Sequence, residues 1–212
     1  MPKIKLPTKS PHIDMTPMVD LFSLLLTFFM LTSVFTPQEP APVDTPFSVS
    51  EKPKPDANIM TFVMSADNRV FFNVDNGPDT ILHFRPKILQ EMGTRYNVVF
   101  TPQELRKFEK ASTSFGVSIH DMKKYLATND AKEREKFEKG IPHDSIDNQL
   151  AMWVLYTRQV NPAVQALIKG DSEVEYPLVK KVLDTLLDYN VSRFSLITNL
   201  EAVEVKLTEA KN

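Results

Sequence analysis

The chain has 212 residues with 25 basic and 27 acidic side chains and a formal charge of -2, so it lacks the basic excess of a general nucleic-acid binder. Its 42% hydrophobic content can build a core, which excludes a disordered polyelectrolyte, and the absence of Cys excludes a disulfide framework, a zinc-thiolate site and a thiol nucleophile. Sixteen Pro against 5 Gly, and 14 Phe beside a single Trp, are unusual for a soluble chain, and their distribution decides the reading.

Met18 to Phe35 reads MVDLFSLLLTFFMLTSVF, where Asp20 is the only charge and Ser23, Thr27, Thr32 and Ser33 are the other polar residues. About 20 apolar residues at 1.5 Å rise span a hydrocarbon core, so residues 17–36 are expected to form a transmembrane helix. Thr16 is the expected N-cap, Pro17 suits the first turn, and Pro37 stops the helix. A cleaved signal peptide fits less well, because the run ends in Val34-Phe35-Thr36-Pro37 without a small-residue cleavage site. Lys3, Lys5 and Lys9 against Asp14 make residues 1–16 basic, and acidic side chains are in excess beyond the span. The positive-inside rule then keeps residues 1–16 in the cytoplasm and sends the rest across, which in a bacterium means a single-pass inner-membrane protein with a periplasmic domain.

Residues 37–57 hold Pro37, Pro40, Pro42, Pro46, Pro53 and Pro55 and read as a semi-rigid tether. From residue 58 the pattern becomes globular. Ile59–Ser65 and Arg69–Val74 alternate apolar and polar around Ala66-Asp67-Asn68, predicting a hairpin. Thr101-Pro102-Gln103-Glu104 is a capping box, Ser118 opens a helix through Tyr125, and Asp144 or Ser145 opens another through Arg158. The run from Asp130 to Lys139 reads as a solvated helix face. Ala163–Ile168 is a strand. A helix from Tyr176 follows, with Leu178, Val179, Val182, Leu183, Leu186 and Leu187 on one side and Asn190 at C′. Arg193–Thr198 returns as a strand, so this unit is a crossover joining two parallel strands. The expected class is α+β: one membrane helix, a Pro-rich linker, and a periplasmic mixed sheet with helices over residues 58–212.

Chemistry is sparse in that outer domain. His83, His120 and His143 have no metal-ligand spacing, no Gly-rich phosphate loop is present, and neither a nucleophile elbow nor a carboxylate pair stands out. The domain reads as a binding module rather than an enzyme, with no metal and no organic cofactor. The outstanding residue is Asp20. An ionised Asp in hydrocarbon costs several kcal/mol, so it pairs, faces a cavity or takes up a proton. At 100° per residue Thr16, Asp20, Ser23 and Thr27 fall within an arc of about 60°. This face suits a helix inside a ring of others, with Asp20 carrying a proton and Ser23 and Thr27 along its route. It equally suits an interfacial Asp facing the helix dipole, with the hydroxyls bonded back to the backbone.

His12-Ile13-Asp14-Met15-Thr16-Pro17-Met18-Val19-Asp20-Leu21, followed by the Leu/Phe-rich run, resembles the N-terminal signature of the ExbD/TolR family of biopolymer transport proteins. Val164–Ile168, Asp171, Tyr176, Val179, Val182, Leu183, Asp184 and Phe194–Thr198 resemble the family's closing strand-helix-strand. The resemblance implies a proton-driven motor of the TonB system. Two copies of this helix would lie within a pentamer of an ExbB/TolQ-like partner, and a TonB-like or other envelope protein would be driven. It maps the family's proton-carrying Asp onto Asp20 and its signature Pro onto Pro17, with protons as the coupling ion. Residues 84–148 exceed the family's usual connection and read as an insertion, either a partner surface or a decorating helical subdomain. The competing class is a signal-anchored periplasmic scaffold, bound to peptidoglycan or an envelope partner, whose helix only anchors it.

Overall fold

The computed structural model describes residues 15–33, 41, 43–48, 55, 57–77, 82–111, 113–128, 130–144 and 146–200. The chain divides into two units, Met1–Pro37 and Gln38–Asn212.

The first unit contains α1, Thr16–Thr32. Its N-cap is Met15 rather than Thr16 and carries no side-chain cap hydrogen bond, so the start rests on Pro17 in the first turn and on the Val19 N–H donating to Met15 O at 3.0 Å. At the other end the Ser33 N–H donates to Phe29 O at 2.9 Å. The 17 residues rise about 25 Å, short of the roughly 30 Å of a hydrocarbon core, and among the described residues no helix is long and apolar enough to cross a membrane. The last residues of the expected span, 34–36, lie outside the described residues.

The second unit contains, in chain order, β1 (Phe47–Ser48), β2 (Ile59–Met64), β3 (Val70–Val74), α2 (Phe84–Arg95), α3 (Pro102–Lys110), α4 (Met122–Ala127), α5 (Ala131–Glu135), α6 (Gln149–Val160), β4 (Gln165–Gly170), α7 (Tyr176–Asp188), β5 (Phe194–Ile197) and β6 (Asn199–Leu200). It is a mixed α+β arrangement. A four-stranded sheet has the order β3-β2-β4-β5, antiparallel between β2 and β3 and parallel from β2 through β4 to β5. The expected hairpin is present, and it turns at Asn68, whose φ of 60 is left-handed, with the Ser65 N–H donating to Arg69 O at 3.1 Å. The crossover β4-α7-β5 is also present, with Asn190 at φ 60 after the Tyr189 cap and the Val191 N–H closing onto Leu186 O at 2.8 Å.

Alternation along the strands sends Met60, Phe62, Met64, Val70, Phe72, Val74, Ala166 and Ile168 to one face of the sheet. Helices cover that face with Ile88, Leu89 and Met92 of α2, Leu150, Trp153 and Val154 of α6, and Leu178, Val182 and Leu186 of α7. Trp153 sits at the centre, its ring 5.1 Å from Phe115, 5.9 Å from Phe72 and 6.1 Å from Phe108.

Residues 84–148 are therefore not a decorating subdomain: Ile88, Phe108, Phe115, Val117, Ile119 and Met122 belong to the same core. They also close the outer edge of β3. Phe72 and Phe115 exchange N–H to O bonds of 2.8 and 2.9 Å, and the Ile141 N–H donates to Val70 O at 2.8 Å. Three expected elements differ. The helix expected from Ser118 begins at Met122, because Ser118 bonds the Gln149 side chain instead of capping. The helix expected from Asp144 or Ser145 begins at Gln149, capped by Asn148 Oδ1, which accepts from the Ala151 N–H at 3.0 Å. In the charged run only Ala131–Glu135 is helical, and Glu138 is buried rather than solvated.

On the opposite face of the sheet Val63 and Phe71 form a smaller cluster with Ala41, against which Val43 packs. The Asp44 N–H donates to Asp171 Oδ2 at 2.9 Å, the Ser172 N–H donates to Asp44 O at 2.9 Å, and β1 pairs parallel with β6. Residues 41 and 43–48, within the stretch expected to be a tether, thus form a strap against this unit.

Candidate functional site

All of α1 is solvent-facing: none of its residues is buried, and Leu24, Leu26, Phe28, Phe29 and Leu31 are each more than half exposed. Its helical state comes from its own backbone bonds, and among the described residues nothing covers its apolar surface. Among the described residues Asp20 makes no hydrogen bond or ion pair. The helix brings Asp20, Ser23 and Thr27 onto one face, with Thr16 in the turn before them. Thr27 Oγ1 donates to Ser23 O at 3.0 Å and to Leu24 O at 2.9 Å, so its proton is engaged by the helix and its lone pairs are what it offers a neighbour. Pro17 adds no donor and sets the backbone of the first turn.

The second unit holds a groove of 430 Å³ where the sheet meets α2 and α3, lined by apolar Ile59, Val74 and Leu167 and by polar Thr61, Asn73, Asp75, Asn76, Arg85 and Glu109. Arg85 comes from the first turn of α2. Its Nε donates to Phe108 O at 3.1 Å, and its Nη1 donates to Asn73 Oδ1 at 2.5 Å and to Val74 O at 2.9 Å. The guanidinium lies 4.7 Å from the centre of the Phe108 ring, while its Nη2 is buried with no partner among the described residues. Burial pushes the Arg85 pKa down to about 10, although Tyr125 and Asp75 act the other way. Glu109 accepts from His83 Nδ1 and from Asn76 Nδ2, and these bonds hold its carboxyl below the usual range. Asp75 Oδ2 accepts from the Asn58 N–H at 3.1 Å.

Sequence reading missed this groove, although one signal was available. Three and four residues after Arg85 come Ile88 and Leu89, so a cation sits on the apolar stripe of α2 with no acid at ion-pair spacing in that helix. A second buried polar pair is Tyr125 and Glu138, with the Tyr125 hydroxyl donating to Glu138 Oε1 at 3.0 Å. Burial raises both pKa values. Of the histidines, His83 meets Glu109, His143 Nδ1 lies 3.1 Å from Ile141 O, and His120 packs edge-on to Tyr96. Among the described residues no three His, Asp or Glu side chains converge to hold a metal.

No curated protein and no solved structure matches the chain. The family model described as biopolymer transport protein ExbD/TolR matches residues 7–201, and the chain therefore belongs to the ExbD/TolR family.

Proposed function

We propose that this ExbD/TolR-family chain is the proton-coupled subunit of an inner-membrane motor of the ExbB-ExbD/TolQ-TolR type. The observation that carries this is α1, an apolar helix with no buried residue and one carboxylate that has no partner among the described residues. Exposed apolar surface of that extent calls for lipid or other helices around it. A lone Asp on such a surface calls for a proton, a counter-charge or a polar cavity. Family membership supports an ExbB/TolQ-like partner class, and the reading puts two copies of this helix inside a pentamer of it.

In this reading residues 1–16 lie in the cytoplasm, α1 lies in the membrane, and the C-terminal unit lies in the periplasm. Asp20 accepts a proton arriving from outside and releases it inside, and Ser23 and Thr27 supply polar atoms along the route. One charge crossing about 150 mV releases roughly 3.5 kcal/mol, enough to bias a packing rearrangement between two states. The C-terminal unit then passes that rearrangement to a TonB-like or other envelope protein.

Asp20→Asn keeps the shape of the side chain and removes its ability to ionise. Membrane insertion and co-purification with the pentameric partner are expected to persist while proton-dependent uptake across the outer membrane is abolished. Undiminished uptake in the Asp20→Asn strain would sink the proposal and leave the anchored-scaffold reading, in which an unrelated membrane anchor could replace the helix without loss.

A further inference from the structure

Where β4 and β5 begin and α6 and α7 end, the C-terminal unit has a further pocket of about 460 Å³. Arg158 in the last turn of α6, Asn190 and Ser192 after α7, and Arg193 at the entry to β5 all line it. Among the described residues none of these four side chains makes a hydrogen bond or ion pair, and none of the residues lining the pocket is acidic. Two guanidinium groups brought to one pocket repel each other, so their pairing needs a reason. Helix ends offer the plainest one, because the carbonyl ends of α6 and α7 attract cations. A guanidinium recruited in that way bonds the last carbonyls, and neither Arg158 nor Arg193 does so.

The lining thus offers two positive charges and two neutral donors that the unit itself does not use. Their complement is an anion, and the donor set narrows which one. A single carboxylate satisfies one guanidinium fork and leaves the second charge unmatched. A phosphate monoester carries about -1.5 to -2 charge and three acceptor oxygens at neutral pH, which suits both forks together. The Asn190 amide and the Ser192 hydroxyl add donors that carry no charge. A volume of about 460 Å³ is within the range of small-ligand sites. We infer that this pocket binds a phosphate monoester, with its oxygens directed to Arg158 and Arg193. The site uses no residue of α1, so it stands or falls apart from the proton reading.

The test is phosphorus NMR on the full-length chain in detergent, titrated with methyl phosphate, a monoester, or with dimethyl phosphate, a singly charged diester. Methyl phosphate is expected to bind in the millimolar range and dimethyl phosphate about tenfold more weakly. Arg158→Gln and Arg193→Gln are each expected to weaken methyl phosphate about tenfold while leaving thermal unfolding at the parent value. Asn190→Gly, which suits the φ of 60 at that position, is expected to weaken it several-fold. Methyl phosphate binding no tighter than the diester, binding unchanged in both arginine variants, or displacement of methyl phosphate by succinate at lower concentration than by inorganic phosphate each overturns the site. If an arginine variant unfolds early, the comparison of the two esters on the parent chain still decides. Phosphatidic acid added to the micelles separates two sources of the same group. Displacement of methyl phosphate assigns the pocket to a lipid headgroup, and no displacement assigns it to a soluble phosphate ester.

Discussion

Helix α1 and the core around Trp153 are both built from Phe, Leu, Met and Val, yet their side chains meet opposite environments. Trp153, Phe72, Phe108 and Phe115 are all at most 2% exposed and pack on one another, whereas Phe28 and Phe29 of α1 are 59% and 62% exposed. The core is completed by its own chain. Among the described residues nothing covers α1, and in the proposed function lipid and partner helices surround it and its single carboxylate. The same residue types therefore encode stability in one region and association in the other.

The strongest way to break this contrast is to alter one residue in each region and read both stability and function. Asp20→Asn should abolish proton-dependent uptake while leaving the unfolding midpoint of the C-terminal unit unchanged. Trp153→Ala should destabilise that unit by about 3–5 kcal/mol in denaturant titrations. Phe29→Ala, an equally drastic truncation on α1, should change the same midpoint by less than about 0.5 kcal/mol. A comparable loss from both truncations would mean that α1 is part of the folded core after all.

A smaller effect sharpens the picture of the core. Gly93 lies inside α2, where Ala normally improves a helix, but a Cβ there would sit 2.4 Å from Val98 O and 2.9 Å from the Phe100 ring. Gly93→Ala should therefore cost about 1–3 kcal/mol instead of stabilising, as read from chemical denaturation. Glu138→Gln should have the smallest effect and show it only in the pH profile. Burial raises the Glu138 pKa, so the folded state prefers the neutral acid. Its contribution is full below the ordinary carboxyl pKa and is lost as pH rises through the raised folded value. The difference between parent and Glu138→Gln stability curves should slope in that direction across mildly acidic pH, and a flat difference would remove Glu138 from the buried acids.

Much of the sheet was legible in the sequence because its signals are local. Two apolar-rich runs around Ala66-Asp67-Asn68 mark β2 and β3, and an apolar repeat at i, i+4, i+8 with Asn190 beyond it marks α7 and its stop. The Thr101 and Glu104 capping box also stands as read, with the Thr101 N–H donating to Glu104 Oε2 at 2.7 Å. What escaped depends on partners distant in sequence. Ser118, Asp144 and Asn148 are all competent caps, but Ser118 bonds the distant Gln149 side chain instead of opening α4, and Asn148 rather than Asp144 caps α6. Glu138 sits in a charged run that predicts exposure, and only Tyr125 and the Arg69 bond to its carbonyl at 2.9 Å bring it inside. Asp20 was legible because a charge in an apolar run needs no tertiary information to stand out. The Arg85 groove was not, because its polar residues come from β2, β3, α2 and α3 together.

The strap at residues 41–48 gives the C-terminal unit a mechanical order of failure. Any load carried along the backbone from the N-terminal side enters this unit at Ala41, before it reaches the sheet. It meets first a small apolar patch on Val63 and Phe71, then the two bonds between Asp44 and the Asp171-Ser172 turn, then the two-residue pair of β1 with β6. These holdings are local beside the ladders of β2, β3 and β4, so the strap is expected to yield before the sheet does. Its release would let the stretch from Ala41 to Ser48 extend to about 25 Å. The domain thus carries its own slack, taken up at rest and let out under tension.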